Sequence, residues 1–61
     1  MNKLNYRQTE MLWAIVMAGS ISGAARLLNI SQPAVSRMLA QTEKSMGLTL
    51  FERVRGRLRP T

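Results

Sequence analysis

The sequence contains no cysteine and no histidine. Without cysteine there can be no disulfide and no thiolate zinc site, and an intracellular setting is natural. Only Glu10, Glu43 and Glu52 are acidic, and they lie far apart in the sequence. Metal ligation and acid–base catalysis therefore have almost no candidate side chains, and we expect no metal, no cofactor and no enzymatic activity.

Long apolar runs and aromatic residues are also scarce. The longest apolar run, Met11 to Ala18, is far shorter than the ~20 residues that a membrane-spanning helix needs. No secretory signal is expected either, because the polar start of the chain is not followed by a small-residue cleavage pattern. One Phe, one Tyr and one Trp are too few for a surface on which RNA bases stack.

Positive charge is what the chain has in excess. Its 61 residues are enough for one small domain with a marginal core, and their net charge of +6 favours a polyanionic partner. A domain that coats RNA or nucleic acid in general would share this charge. A membrane-active peptide would instead carry it on one amphipathic helix, whereas here the densest charge lies beyond Gly47, outside the predicted helices.

Residues 20–39 have the pattern of two short helices joined by a tight turn. Apolar residues recur with helical period in the first of them: Ile21, Ala24, Ala25 and Leu28. Ser20 or Ser22 can cap its start, and Asn29 suits the left-handed turn at its end. The small alanines let the two helices cross closely, as a helix-turn-helix requires.

The second helix of this pair has clear start and stop signals. Ser31 is a good N-cap, Pro33 falls in the first turn, and Gly47 ends the helix. The side chains expected to face inward are Val35, Leu39, Thr42 and Met46, with Met38 beside them.

A supporting helix is predicted from about Asn5 or Tyr6 to Ala18, capped near Asn5 and closed by Gly19. Its inward face is expected to carry Leu12, Ile15, Val16 and Gly19. Trp13 and Met17 are one turn apart and point partly to another side, which leaves two interpretations open. They are either the edge of the core or a surface for a partner.

Four arginines alternate with other residues near the end of the chain: Arg53, Arg55, Arg57 and Arg59. With Arg55-Gly56-Arg57 as the loop, Val54 would lie opposite Leu58 and Arg53 opposite Arg59, and the arginines would face outward. Like charges placed opposite each other destabilise a strand pair, which a bound polyanion would offset. The alternative is a solvated, charged tail. Phe51 is expected to anchor the hairpin in the core beside Leu48.

Several short motifs of this sequence, taken together, resemble those of a known protein family. They are Ala24-Ala25, Ser31-Gln32-Pro33, Ser36-Arg37, Glu43, Gly47, Leu50 to Arg53, and Pro60-Thr61, in that order. Together they resemble the N-terminal DNA-binding domain of LysR-type transcriptional regulators over about residues 4–61. Two positions depart from that pattern: Thr42 stands where a large apolar residue is common, and Gly23 where a polar or basic residue is common. We expect the first to loosen the core and the second to remove a contact to the DNA backbone.

Side-chain chemistry and the resemblance point to the same base-reading residues: Gln32, Pro33, Ser36 and Arg37. The Gln32 amide can donate and accept at once, which matches the edge of adenine, and the Pro33 ring can contact a thymine methyl. Residues expected at the DNA backbone or minor groove are Ser22, Ser31, Arg53, Arg55 and Arg57. Among these, Arg53 matches the family's wing arginine, and Ser31 is first of all a cap. Arg26, Lys3 and Lys44 are weaker candidates, and for Lys44 a solvated surface charge is the favoured interpretation.

The sequence therefore predicts a mainly α winged helix-turn-helix of three helices and a two-stranded β-hairpin wing. We expect one domain over 1–61, with the helix-turn-helix at 20–39, the wing at about 49–61, and neither a linker helix nor an effector domain. The predicted function is sequence-specific binding of double-stranded DNA, with the recognition helix in the major groove and the arginine-rich wing on the minor groove or backbone.

The resemblance also implies a cellular context and an assembly. It implies a cytoplasmic, nucleoid-associated bacterial regulator that forms homodimers or tetramers in a longer form. A small-molecule effector would act only through a C-terminal domain that 61 residues leave no room for. The short chain by itself is compatible with a monomer.

Overall fold

A computed structural model describes residues 4–61 of the chain. Three helices are followed by an antiparallel hairpin: α1 (Tyr6–Ala18), α2 (Ile21–Leu28), α3 (Gln32–Met46), β1 (Phe51–Val54) and β2 (Arg57–Pro60). This architecture confirms the predicted mainly helical winged helix-turn-helix. Within residues 4–61, no helix has the length and apolar character needed to cross a membrane.

Each helix starts at a polar cap that the sequence indicates. Asn5 and Gln8 form a reciprocal capping box on α1, in which the Asn5 side chain accepts from the Gln8 backbone N–H at 2.8 Å. Ser20 caps α2 by accepting from the Gly23 N–H at 3.0 Å, which decides between the two serines considered for that role. Ser31 caps α3 through the Ala34 N–H at 3.2 Å.

The helices end at residues with left-handed backbone geometry. Asn29 adopts φ 58° between α2 and α3, where its backbone N–H bonds back to carbonyls of the preceding turn. Gly19 and Gly47 close α1 and α3 with φ values of 75° and 69°. Asn29 keeps the helix-turn-helix compact, because α3 begins within a few residues of the end of α2.

The core lies where the three helices and the first strand meet. Its buried residues are Met11, Ala14, Ile15, Ala24, Ala25, Val35, Thr42 and Phe51. The inward face predicted for α1 was wrong at Val16, which is 53% exposed. Met11 and Ala14 take central positions instead, because the buried stripe begins one residue earlier than predicted, which rotates the buried face by about 100° around the helix axis.

Thr42, which stands where the family pattern has a large apolar residue, is accommodated by a local hydrogen bond. This side chain is fully buried, and its hydroxyl donates to the Met38 carbonyl at 2.8 Å. A buried hydroxyl with a partner avoids the penalty of an unsatisfied polar group. Thr42 therefore fits a position facing the core without leaving a polar atom unpaired.

The hairpin has a different register from the one predicted. Its loop contains only Arg55 and Gly56, so Val54 pairs with Arg57 and Arg53 pairs with Leu58. Both loop residues have positive φ, as a type I′ turn requires, and this turn matches the twist of the strands. Arg59 lies opposite Glu52 and not opposite Arg53. The expected repulsion between facing arginines is therefore absent from this pairing, and it supplies no argument for a polyanion.

The wing is attached to the helices at both ends. The Leu58 N–H donates to the Gly19 carbonyl at 2.9 Å, which joins β2 to the turn between α1 and α2. The Glu43 carboxylate accepts from the Leu50 N–H at 2.7 Å, which fixes the entry into β1. Phe51 is buried and anchors the hairpin as expected, but Leu48 is 55% exposed and is not its partner in the core.

Candidate nucleic-acid interface

The first turns of α3 present polar and basic side chains to solvent. All four candidate base-reading residues are exposed: Gln32, Pro33, Ser36 and Arg37. Val35 lies between them in sequence and is fully buried, since helical geometry directs it to the opposite side. The same turns thus fix the helix to the core and leave a continuous polar face outside. No packing within residues 4–61 covers that face.

The two candidate serines have different surroundings. Ser31 is exposed, and its hydroxyl is engaged by the Ala34 N–H as the cap of α3. Ser22 is half-buried in the first turn of α2 and lines a concavity together with Arg26 and Gln32. Ser22 therefore lies beside the start of α3, where a nucleic-acid backbone would pass if α3 occupied a groove.

The arginines of the hairpin are exposed but do not share one face. Directly opposite residues of an antiparallel pair project to the same side, so Arg53 lies on the side of Phe51 and Leu58. Arg57 projects to the other side with Val54, and Arg55 occupies the tip of the loop with φ 52°. The wing thus presents positive charge at its tip and on both sides.

Arg57 also contacts the helical body. Its guanidinium lies over Gly19, where an added β-carbon would come within 2.7 Å of a guanidinium nitrogen. Gly19 ends α1, and a cation near a helix C-terminus is favoured by the partial negative charge there. This contact, together with the hydrogen bond from Leu58, holds β2 against the turn between α1 and α2.

Three residues near this surface have structural roles that the sequence did not predict, although Glu43 was named as part of a motif and Gly23 as a departure from the family pattern. Arg7 lines a concavity with Arg37, Glu43 accepts the Leu50 N–H, and Gly23 lies close to Ala18. A β-carbon at Gly23 would be 2.7 Å from the Ala18 Cβ. Glycine at this position, where the family pattern has a polar or basic residue, therefore avoids a steric clash. Each role depends on packing between elements, for which the sequence offers no local signal. Lys3 lies outside the described residues.

Electrostatics favour an anion at the helix N-termini. None of the three helices has an acidic residue in its first turn. The partial positive charge at the helix starts is therefore not offset by a local carboxylate. Within the part of the chain that the structure describes, no three His, Cys, Asp or Glu side chains come together as a metal site would require.

An apolar patch lies on the side of α1 that faces away from the core. Trp13, Val16 and Met17 are 55%, 53% and 64% exposed. The spacing of these residues places them on one helix face. Of the two interpretations for Trp13 and Met17, the edge of the core fits their exposure less well than an outward surface.

The amino-acid sequence is similar to a known protein family and to known proteins. Residues 6–61 match the family model described as bacterial regulatory helix-turn-helix protein, lysR family. The transcriptional activator protein LysR of Escherichia coli (strain K12) is 57% identical over 61 residues, which are all of this chain and 20% of the relative. The HTH-type transcriptional regulator DgcR of a Pseudoalteromonas species is 48% identical over 58 residues, covering 95% of this chain and 20% of the relative. The chain thus spans about a fifth of the length of these curated relatives.

Solved structures give the same fold. A crystal structure of a CbnR_DBD–DNA complex superposes with a TM-score of 0.87 at 31% identity, covering 95% of this chain and 67% of that one. Full-length CbnR complexed with its target DNA gives a TM-score of 0.86 at 31% identity, with 95% of this chain and 20% of that chain covered. By their names, the curated relatives are transcriptional regulators and not enzymes.

Proposed function

The chain belongs to the lysR family of bacterial regulatory helix-turn-helix proteins, and on that premise we propose that it binds double-stranded DNA sequence-specifically as the DNA-reading part of a transcriptional regulator. The observation that carries the proposal is the orientation of the first turns of α3. They expose Gln32, Ser36 and Arg37 while Val35 anchors the helix from behind. That arrangement suits a helix whose N-terminal turns enter a major groove.

Each proposed base-reading residue has a distinct chemistry. The Gln32 amide pairs with the N7 and N6 atoms of adenine, and Arg37 pairs with the edge of a guanine or with a phosphate. Pro33 offers ring carbons to a thymine methyl, and Ser36, one turn beyond Gln32, reaches a base or a phosphate. Ala34 is small, so the helix can approach the bases closely.

Backbone contacts supply most of the affinity in this proposal. Ser22 and Ser31 lie at the starts of α2 and α3, where serine hydroxyls can reach phosphates. Arg53 enters the minor groove or contacts the backbone, since the narrow groove of A/T-rich DNA attracts arginine. Arg55 at the tip of the wing and Arg57 directly after the turn add phosphate contacts.

We propose further that the longer protein acts as a homodimer or tetramer that binds paired half-sites. The chain corresponds to about a fifth of its curated relatives, so this assembly and any small-molecule effector concern regions outside these residues. A single copy would bind one half-site weakly. The oligomeric state stays a prediction, because no contact among the described residues bears on it.

The dependence of affinity on salt tests the proposal directly. With about five phosphates engaged, log K should fall against log salt with a slope of about −4 to −5 on duplex DNA. Random RNA of the same length, used as a competitor, should displace the chain much less well than a duplex selected from a random library. A slope near zero, or equal competition by RNA, would refute sequence-specific binding of DNA.

A further inference from the structure

We propose that Arg7 binds a backbone phosphate on the α1 side of the recognition helix, opposite a second phosphate held by Arg26 on the α2 side. This inference rests on the proposed function and adds a contact that neither the motifs nor the wing supply. It makes the start of α1 part of the DNA-binding surface. The ligand is a phosphodiester of duplex DNA.

Two concavities lie on the two sides of α3. One is formed by the start of α1 together with α3, and it is lined by Asn5, Arg7, Gln8, Ala34, Arg37, Met38 and Gln41. The other is formed by α2 and the turn before α3, and its lining includes Ser22, Arg26 and Gln32. Gln32 and Gln41 are nine residues apart, which at 100° per residue places them about 180° apart around the helix axis. The exposed face of α3 therefore lies between a concavity containing Arg7 and one containing Arg26.

This spacing matches the shape of duplex DNA. The major groove is about 12 Å wide, and an α-helix with its side chains is about 10–12 Å across. A helix in that groove has one phosphate backbone along each of its sides. Arginines that flank the recognition helix on both sides therefore face both backbones when the helix reads bases.

The helix dipole explains the positive charge of Arg26 but not that of Arg7. Arg26 is in the last turn of α2, where a cation is favoured by the helix dipole. Arg7 is in the first turn of α1, where the dipole disfavours a cation, and no acidic residue shares that turn. Glu10 lies three residues beyond Arg7, on the C-terminal side, which is the weaker orientation for a helical ion pair. Fold stability therefore gives little reason for the charge of Arg7, whereas a bound phosphate does.

The local surroundings favour an anion over other ligands. Arg37 shares the concavity with Arg7, so two arginines line one space. The positive end of α1 points to the same region, although its Gln8 N–H is already taken by the Asn5 cap. A phosphate oxygen there would accept hydrogen bonds from planar donors of the type that suits phosphate.

The test is the salt dependence of duplex binding for Arg7→Gln, Arg7→Lys and Lys44→Gln. Arg7→Gln should make the slope of log K against log salt shallower by about one. At 0.1 M salt the variant should bind about eightfold more weakly, with the difference vanishing near 1 M. Arg7→Lys keeps the charge and should keep the slope. Lys44→Gln removes an equal charge from the last turn of α3 and should leave the slope unchanged.

A second measurement locates the phosphate. In a duplex selected by the unaltered chain, replacing single phosphates by neutral methylphosphonates should weaken binding of that chain at each contacted phosphate. At one of these positions the replacement should have no effect on binding by Arg7→Gln. Circular dichroism should show unchanged helix content, because the Arg7 side chain is exposed and takes no part in the capping box.

The possible results separate the two proposals. If the unaltered chain binds duplex DNA with a steep slope and Arg7→Gln binds with the same slope, the Arg7 contact is wrong and the proposed function stands. If Lys44→Gln lowers the slope as much as Arg7→Gln, the effect reflects overall charge and the contact is again wrong. If the unaltered chain shows no salt dependence, both proposals fail.

Discussion

At the scale of single residues, capping and base recognition are divided between neighbours. Ser31 supplies the cap of α3, and its hydroxyl is used by the Ala34 N–H. The start of the helix therefore does not depend on Gln32, which stands one position further on and is exposed. A substitution at Gln32 can change recognition with little effect on folding, because alanine is also the better helix former.

Gln32→Ala should therefore relax selection at one base pair of the binding site, at a cost of about 1–3 kcal/mol for the preferred base. Selection from a random duplex library, followed by affinity measurements on single-base variants, measures this effect. Gln41→Ala is the matched control, since it removes the same amide from an exposed position about two and a half turns closer to the end of α3. Equal preferences at every base for Gln32→Ala and the unaltered chain would exclude Gln32 as a base reader.

Local chemistry explains which residue roles could be predicted. The caps at Asn5 and Ser31 and the left-handed Asn29 follow from interactions within a few residues, and the structure confirms all three. Glu43 was recognised only as part of a motif, because its hydrogen bond to the Leu50 N–H joins a helix to the strand that follows it. Arg7 was missed for the same reason, since only the packing of α1 on α3 brings it beside Arg37.

At the scale of elements, the wing shows why the alternation of arginines in the sequence does not determine which residues of the two strands pair. The alternating arginines predict two strands but leave the loop length open, and a change of one residue alters every cross-strand pair. A two-residue turn places Arg55 at φ 52° and Gly56 at φ 78°. Arginine is a poor residue for the first of these positions, where asparagine is preferred. Its presence at the tip is therefore better explained by a contact to DNA than by the geometry of the turn.

Arg55→Asn should consequently have opposite effects on stability and binding. The Asn-Gly turn should raise the free energy of unfolding by a few tenths of a kcal/mol to about 1 kcal/mol. The same change should weaken binding to all duplex sequences alike and make the salt slope shallower by about one. Urea unfolding and salt-dependent binding measure the two effects. The control is Arg59→Asn, which lies outside the turn opposite Glu52 and should bring no gain in stability. Unchanged binding by a stabilised Arg55→Asn chain would remove Arg55 from the interface.

At the scale of the whole molecule, the arginines near α3 and the apolar patch on α1 form separate surfaces. The first turns of α3, the start of α1 and the wing tip carry arginines, while the outer face of α1 exposes Trp13, Val16 and Met17. A DNA-binding surface is expected to be polar and positively charged, so the first group of elements fits it and the apolar patch does not. The sequence predicted the elements and the buried alanines of α2, but the exposure of Val16 depends on how α1 is rotated against the other helices.

Nuclear magnetic resonance titration of the chain with a selected duplex tests whether the first turns of α3 face the bases. The largest signal changes should occur at the Gln32 side-chain amide, Ser36 and Arg37. Smaller changes should appear at Arg7 and Arg55, and Trp13 and Met17 should stay unchanged. Largest changes at Trp13 and Met17, with Gln32 unaffected by saturating duplex, would show that α3 does not read the bases.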